Sequence, residues 1–100
     1  MNQRFIRQAQ ELQARLAKAQ EELAKTIVEG TSGGGAVKVT VNGQQEIQSV
    51  KISCEVVNPQ DVEMLEDLVL SAIKDAMAKA QEIATQKMGG LTGGLKIPGL

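Results

Sequence analysis

Arg4, Arg7, Arg15 and Lys18 recur at spacings that a helix gathers onto one side. At about 100° per residue they share one arc, with only Glu11 intruding. That arc is centred roughly 120° from a second one, about 80° wide, which holds Phe5, Ala9, Leu12, Leu16, Ala19, Leu23 and Ile27. Guanidinium groups are planar forks suited to phosphate oxygens, so the implied chemistry is the holding of an acidic partner rather than bond making. A basic helix face ordinarily serves solubility alone. Here Arg4 and Arg7 also stand in the opening turns, where the helix dipole disfavours each cation by about 0.3–1 kcal/mol. The later helix obeys the dipole at the same place, with Asp61, Glu63, Glu66 and Asp67. A broken local rule without visible compensation is what functional positions tend to show. Lys79 and Lys87 need no such account, because lysines late in a helix stabilise its C-terminal end. They extend the cationic surface if both helices project the same way.

Other chemistries find little support. The chain has no histidine, which removes the usual general base and the commonest transition-metal ligand. Phe5 is its one aromatic residue, too few for the stacking platforms that grip single strands or splayed RNA bases. Cys54 stands alone, so no internal disulfide forms; a reducing cytoplasm is expected, and the apolar parity around the thiol predicts that it is buried and inert. Gly30 and Gly35 have the spacing of a phosphate loop, but Ala36-Val37 stands where Lys and Ser/Thr are required. Carboxylates cluster at 61–67, on the solvated start of a helix, where the dipole explains them and no cavity is implied. No signal peptide and no apolar run of membrane-spanning length is present. The reading is therefore a non-enzyme with no cofactor, no metal, no small-molecule substrate and no membrane partner.

The elements that position these residues follow from pattern. Gln, Ala, Leu, Glu and Lys sustain a first helix from about Asn2 to Lys25. β-branched residues take over at Thr26–Ser32, and Gly33-Gly34-Gly35 makes a turn. Val37, Val39 and Val41 alternate with polar residues as a half-buried strand, and Asn42-Gly43 signals a hairpin in which both residues tolerate positive φ. Val50, Ile52, Cys54 and Val56 share one parity in a third strand, while Ile47 falls on the other, predicting a bulge near Gln48-Ser49. Asn58-Pro59 opens the second helix as cap and first residue, and the helix is expected to end near Lys87 or Met88, before Gly89-Gly90. Residues 1–88 thus form one domain, and 89–100 read as a flexible Gly-rich tail.

Net charge is −1, but it is segregated. Residues 1–20 carry a net +3, residues 61–75 a net −4 and the last 25 residues a net +2. A helix over 59–87 would span about 44 Å, against a radius of gyration of about 13 Å for a compact domain of this length. Part of each helix must overhang. An exposed apolar seam is best covered by a second copy, with Leu12, Leu16, Leu23, Val62, Leu65, Val69, Ala72 and Ala76 as the dimer or helix-packing seam. The fold class is α+β, in the order α-β-β-β-α, with a three-stranded antiparallel sheet flanked by two long helices. The rival functional reading is a protein-interaction module whose seams dock another protein, with no polyanion bound; the net negative charge and the acidic start of the second helix favour it.

Several stretches resemble the YbaB/EbfC family of bacterial nucleoid-associated proteins. The carriers are Ala9-Gln10 in a Gln-rich helix, Val37-Lys38-Val39-Thr40-Val41-Asn42-Gly43, Asp61-Val62-Glu63-Met64-Leu65-Glu66-Asp67-Leu68, Ser71-Ala72-Ile73-Lys74-Asp75-Ala76, and the ending from Met88 to Leu95. Two departures are visible: Lys74 replaces an Asn, and Cys54-Glu55 replaces an Asp-Pro pair. The resemblance implies a tweezer-like homodimer whose projecting helices grip double-stranded DNA in the nucleoid, with a role in nucleoid organisation or gene regulation. By position it would carry DNA contacts to Arg4, Arg7, Arg15 and Lys18, with Lys79 and Lys87 less securely.

Overall fold

Residues 2–92 are described by the computed structural model. Helix α1 covers Gln3–Lys25, strands β1, β2 and β3 cover Ile27–Ser32, Val37–Asn42 and Ile47–Ile52, and helix α2 covers Val62–Thr92. The strands form one antiparallel sheet in the order β1-β2-β3. Asn2 caps α1 by accepting the Arg4 N–H at 3.0 Å. The cap of α2 is Asp61, whose carboxylate accepts the Met64 N–H at 3.2 Å. Asn58 instead closes a turn ahead of the helix, accepting the Gln60 N–H at 2.9 Å, so the helix begins three residues later than the Asn-Pro pair predicts. At its other end α2 continues through Gly89 and Gly90 to Thr92. A glycine costs a helix only about 1 kcal/mol, too little to stop one already some twenty-five residues long. The remainder of the expected tail, 93–100, lies outside the described residues.

The core is made where α2 crosses the sheet. Val37, Val39 and Val41 of β2 and Ala72, Ala76 and Ala80 of α2 are completely buried. Each valine contributes about 1.5–3 kcal/mol by leaving water. Small residues are needed because the helix backbone lies almost on the strand: a Cβ on Gly30 would come within 2.2 Å of the Ala76 nitrogen and 2.5 Å of the Ala72 oxygen. Gly30 is thus required for close approach. α2 also clips the outer edge of β1. Thr31 donates its N–H to the Asp75 carboxylate at 3.0 Å, Lys79 donates to the Glu29 carbonyl at 3.0 Å, and Ser32 donates to the Leu68 carbonyl at 2.5 Å. Free strand edges invite pairing with other chains, and these bonds close this one.

The β2–β3 hairpin differs in mechanism from its sequence signature. Its loop is Gly43–Glu46, and the residue with positive φ is Gln45, at 64°. Gly43 is needed for a different reason, since a Cβ there would lie 2.8 Å from the Leu23 carbonyl oxygen. Its N–H donates to Leu23 and Thr26 carbonyls at 2.8 and 2.9 Å, tying the hairpin to the end of α1. Asn42 is buried and fully bonded: its side-chain Oδ1 accepts the Gln44 and Glu46 N–H groups, and its side-chain amide donates to the Ala24 carbonyl and the Glu46 carboxylate. The expected bulge is present, since Thr40 pairs with Ser49 and Val41 with Ile47, leaving Gln48 as the extra residue. β3 ends at Ile52, earlier than parity predicts. Ser53 then accepts the Glu55 N–H, turning Cys54–Val56 into a 3-10 turn that leaves Cys54 exposed. The thiol is therefore not a core group.

The molecule is long. Its extents are 69 × 26 × 17 Å and its radius of gyration is 19.2 Å, well above the roughly 13 Å of a compact domain.

Candidate nucleic-acid interface

Ala19 and Leu23 are the buried residues of α1, and they anchor its C-terminal end. Toward the N-terminus the helix leaves the body. From Gln3 to Arg15 every residue is exposed except half-buried Leu12. The strong amphipathic pattern therefore continues into solvent, where Phe5 is 69 % exposed. Arg4, Arg7, Arg15 and Lys18 are all exposed on this arm, and none makes a salt bridge among the described residues. They are the free cations that a polyanion would meet.

Lys79 and Lys87 are placed differently. Lys79 bridges Asp75 at 3.2 Å one turn earlier while bonding the Glu29 carbonyl. Lys87 is paired across the two helices with Glu22. The Asp75 carboxyl is held below its ordinary range by the Thr31 N–H first and by Lys79 second. The Glu22 carboxyl is likewise lowered, by the Lys87 bond and charge and then by Lys18. α1 and α2 meet here in opposite directions, so Arg15, Lys18, Ala19 and Glu22 face Lys87 and Gly90 across an open cleft.

The expected seam divides into three groups. Leu23, Ala72 and Ala76 are buried within the single chain. Leu65 and Val69 are half-buried on the core, with outer surfaces still open, and Leu12 and Leu16 are half-buried on α1. Val62 is 54 % exposed. Sequence pattern misses the apolar surface beside them. Ile47, Val50 and Ile52 pair with the three core valines of β2 and so share their face, yet α2 does not cover them. Ile52 joins Leu65, Val69, Leu70 and Ile73 around an apolar hollow. The signal is present in the alternation of β3, but only the position of α2 shows that this strand is left bare.

Among the described residues no three Cys, Asp or Glu side chains are grouped to hold a metal ion. The hollow between the hairpin and the two helices is shallow, and its polar side chains are Gln20, Gln44, Gln45, Gln81 and Thr85. Among the described residues no helix is long and apolar enough to cross a membrane. What the site offers is a projecting cationic rod.

A sequence model of the YbaB/EbfC DNA-binding family matches residues 1–95. The chain belongs to this family. A nucleoid-associated protein of Chloroflexus aurantiacus is 61 % identical over 97 residues, spanning 96 % of this chain and 97 % of the relative. Another, from Pelotomaculum thermopropionicum, is 50 % identical over 97 residues, spanning 97 % and 92 %. An uncharacterized protein of Helicobacter pylori, whose crystal structure is known, superposes with a TM-score of 0.83 at 22 % identity, covering 93 % of this chain and 99 % of that one. That likeness bears on the fold, and it matches the α-β-β-β-α order seen here.

Proposed function

We propose that the chain is a nucleoid-associated protein that binds double-stranded DNA as a homodimer, largely through phosphates, and so organises the nucleoid or regulates genes within the cytoplasm. The observation that carries this reading is the row of unpaired cations Arg4, Arg7, Arg15 and Lys18 on a helix that projects from the body. Binding to phosphates releases condensed counterions, giving affinity with little base readout. The homodimer reading draws support from the bare face of β3. The β1 edge is closed by Asp75 and Lys79, whereas Ile47, Val50 and Ile52 remain 41–48 % exposed beside the Leu65–Leu70 hollow. A second copy would cover this surface symmetrically, as most soluble oligomers do.

Titration of a random-sequence duplex at several salt concentrations tests the reading, with light scattering for the oligomeric state. Neutralising about six phosphates makes affinity fall roughly 10³-fold between 50 and 200 mM salt. Combined alanine substitution at Arg4, Arg7 and Arg15 is expected to weaken binding to every duplex and to flatten the salt slope by about 0.9 for each phosphate no longer neutralised. A folded triple variant with unchanged affinity removes the arm from the site. No binding by the unaltered protein at micromolar concentration leaves the protein-interaction reading in its place.

A further inference from the structure

Between the two helices one cation, Lys87, is not free. Arg15, Lys18 and Glu22 follow one another at spacings of three and four on α1, and so stand on one face of it. Across the cleft stands Lys87 of α2, with Gly90 adding no side chain beside it. Two cations, Lys87 and Lys18, therefore act on one carboxylate, and Arg15 lines the same cleft further along α1. Glu22 holds the Lys87 ammonium directly, with the two side chains 46 % and 34 % exposed respectively. Lys18, one turn earlier on α1, adds a weaker attraction to the same carboxylate, whose proton affinity is lowered chiefly by Lys87. The cleft has the charge for a phosphate group, but its centre is already filled by an anion of the protein's own.

We propose that Arg15, Lys18 and Lys87 form a phosphate subsite and that Glu22 acts within it as a built-in competitor, restraining DNA affinity. This rests on the DNA-binding reading above and adds a residue that sets its strength. A backbone phosphate approaching the cleft meets the Glu22 charge and finds Lys87 engaged. Without Glu22, the ammonium of Lys87 turns to the phosphate and Lys18 loses its neutralising neighbour. The neighbouring pair Glu21–Lys25, at 3.6 Å, provides an internal control because it does not line the cleft.

The test is fluorescence anisotropy of a labelled random-sequence duplex with the full-length protein, across a salt series, for Glu22→Gln, Glu21→Gln, Lys87→Gln and the double variant Glu22→Gln/Lys87→Gln. The proposal expects Glu22→Gln to bind roughly three- to fivefold more tightly at low salt, the scale of one exposed ion pair. Its salt slope should steepen by about 0.9 for each further phosphate neutralised. Lys87→Gln alone should weaken binding, because it removes a cation of the subsite and leaves the Glu22 charge uncompensated in the cleft. The double variant should lose the gain. Equal tightening by Glu21→Gln, or a gain that survives in the double variant, would show a general charge effect and overturn the subsite. So would a folded Glu22→Gln protein that binds no more tightly than the unaltered chain. If the unaltered protein binds no duplex at all, the DNA-binding reading itself fails, which distinguishes the two failures.

Discussion

Where α2 lies across β1 and β2, the surfaces meet without slack: Gly30 leaves no room for a methyl group, and three alanines of the helix are completely buried. Along the first half of α1, by contrast, side chain after side chain is exposed, including the large apolar Phe5 and Ile6. The first region is held by packing and by bonds that span more than forty residues of sequence, such as Thr31 to Asp75. The second is held by helix propensity and an anchored C-terminal end. This contrast separates the residues that hold the fold from those proposed to bind DNA. Substitutions in the body should change folding, and substitutions on the arm should change what the protein holds.

The largest effect is expected at Gly30. Alanine there places a Cβ against backbone atoms of α2 that no rotamer change relieves. Either the helix lifts from the sheet, exposing the valine core, or β1 shifts and loses the Thr31–Asp75 bond. A destabilisation of about 3 kcal/mol, at the upper end for overpacking, is expected in urea or thermal unfolding. A Gly30→Ala protein of normal stability would mean that α2 does not sit on β1 as described, and the contrast would collapse.

A smaller effect is expected from acid, through Asp75. Its carboxyl is lowered in the folded protein by the Thr31 N–H and then by Lys79. A depressed carboxylate adds stability above its unfolded pKa, near 3.9, and that stability is lost as pH falls through the folded value. The unaltered protein should therefore lose stability as pH drops below about 4, and Asp75→Asn should flatten part of that decline. Glu22 is lowered in the same direction by Lys87, so the decline should be reduced in Asp75→Asn but not abolished. Thermal midpoints at about pH 3, 4, 5 and 7 make the comparison. Identical pH profiles in the two proteins would remove the β1 edge clip from the account of the body.

Much of this division is legible in the chain. The 3.6-residue period of α1, the alternation of Val37, Val39 and Val41, and the misplaced parity of Ile47 are local signals, and the structure follows them in element order and bulge. What is not legible depends on distant partners. The alanines of α2 read as a packing stripe, but nothing local says that the stripe meets Gly30, over forty residues earlier. Asn42-Gly43 marks the hairpin for the wrong reason, because the demand on Gly43 comes from Leu23 in α1 rather than from its own φ. Cys54 looks buried on parity alone, but Ser53 ends the strand before parity applies. For the candidate site, the free cations are visible as a helical arc. The capture of Lys87 by Glu22 is not, since only the antiparallel meeting of α1 and α2 brings them together.

The smallest effect on stability is expected from the arm, and its sign is informative. Arg4 and Arg7 lie near the positive end of the α1 dipole, which disfavours each by about 0.3–1 kcal/mol, and alanine is the better helix former at any exposed position. The Arg4→Ala, Arg7→Ala, Arg15→Ala triple variant should therefore be at least as stable as the unaltered protein, with a gain of up to about 1–2 kcal/mol. Paired with the loss of DNA affinity expected for the same variant, that outcome would mean the arginines are kept against the interest of the helix that bears them. A destabilisation above about 1 kcal/mol would instead mean that these guanidinium groups pack against protein, as they would if a second copy covered the arm. The arm would then belong with the body, and DNA would have to be held elsewhere.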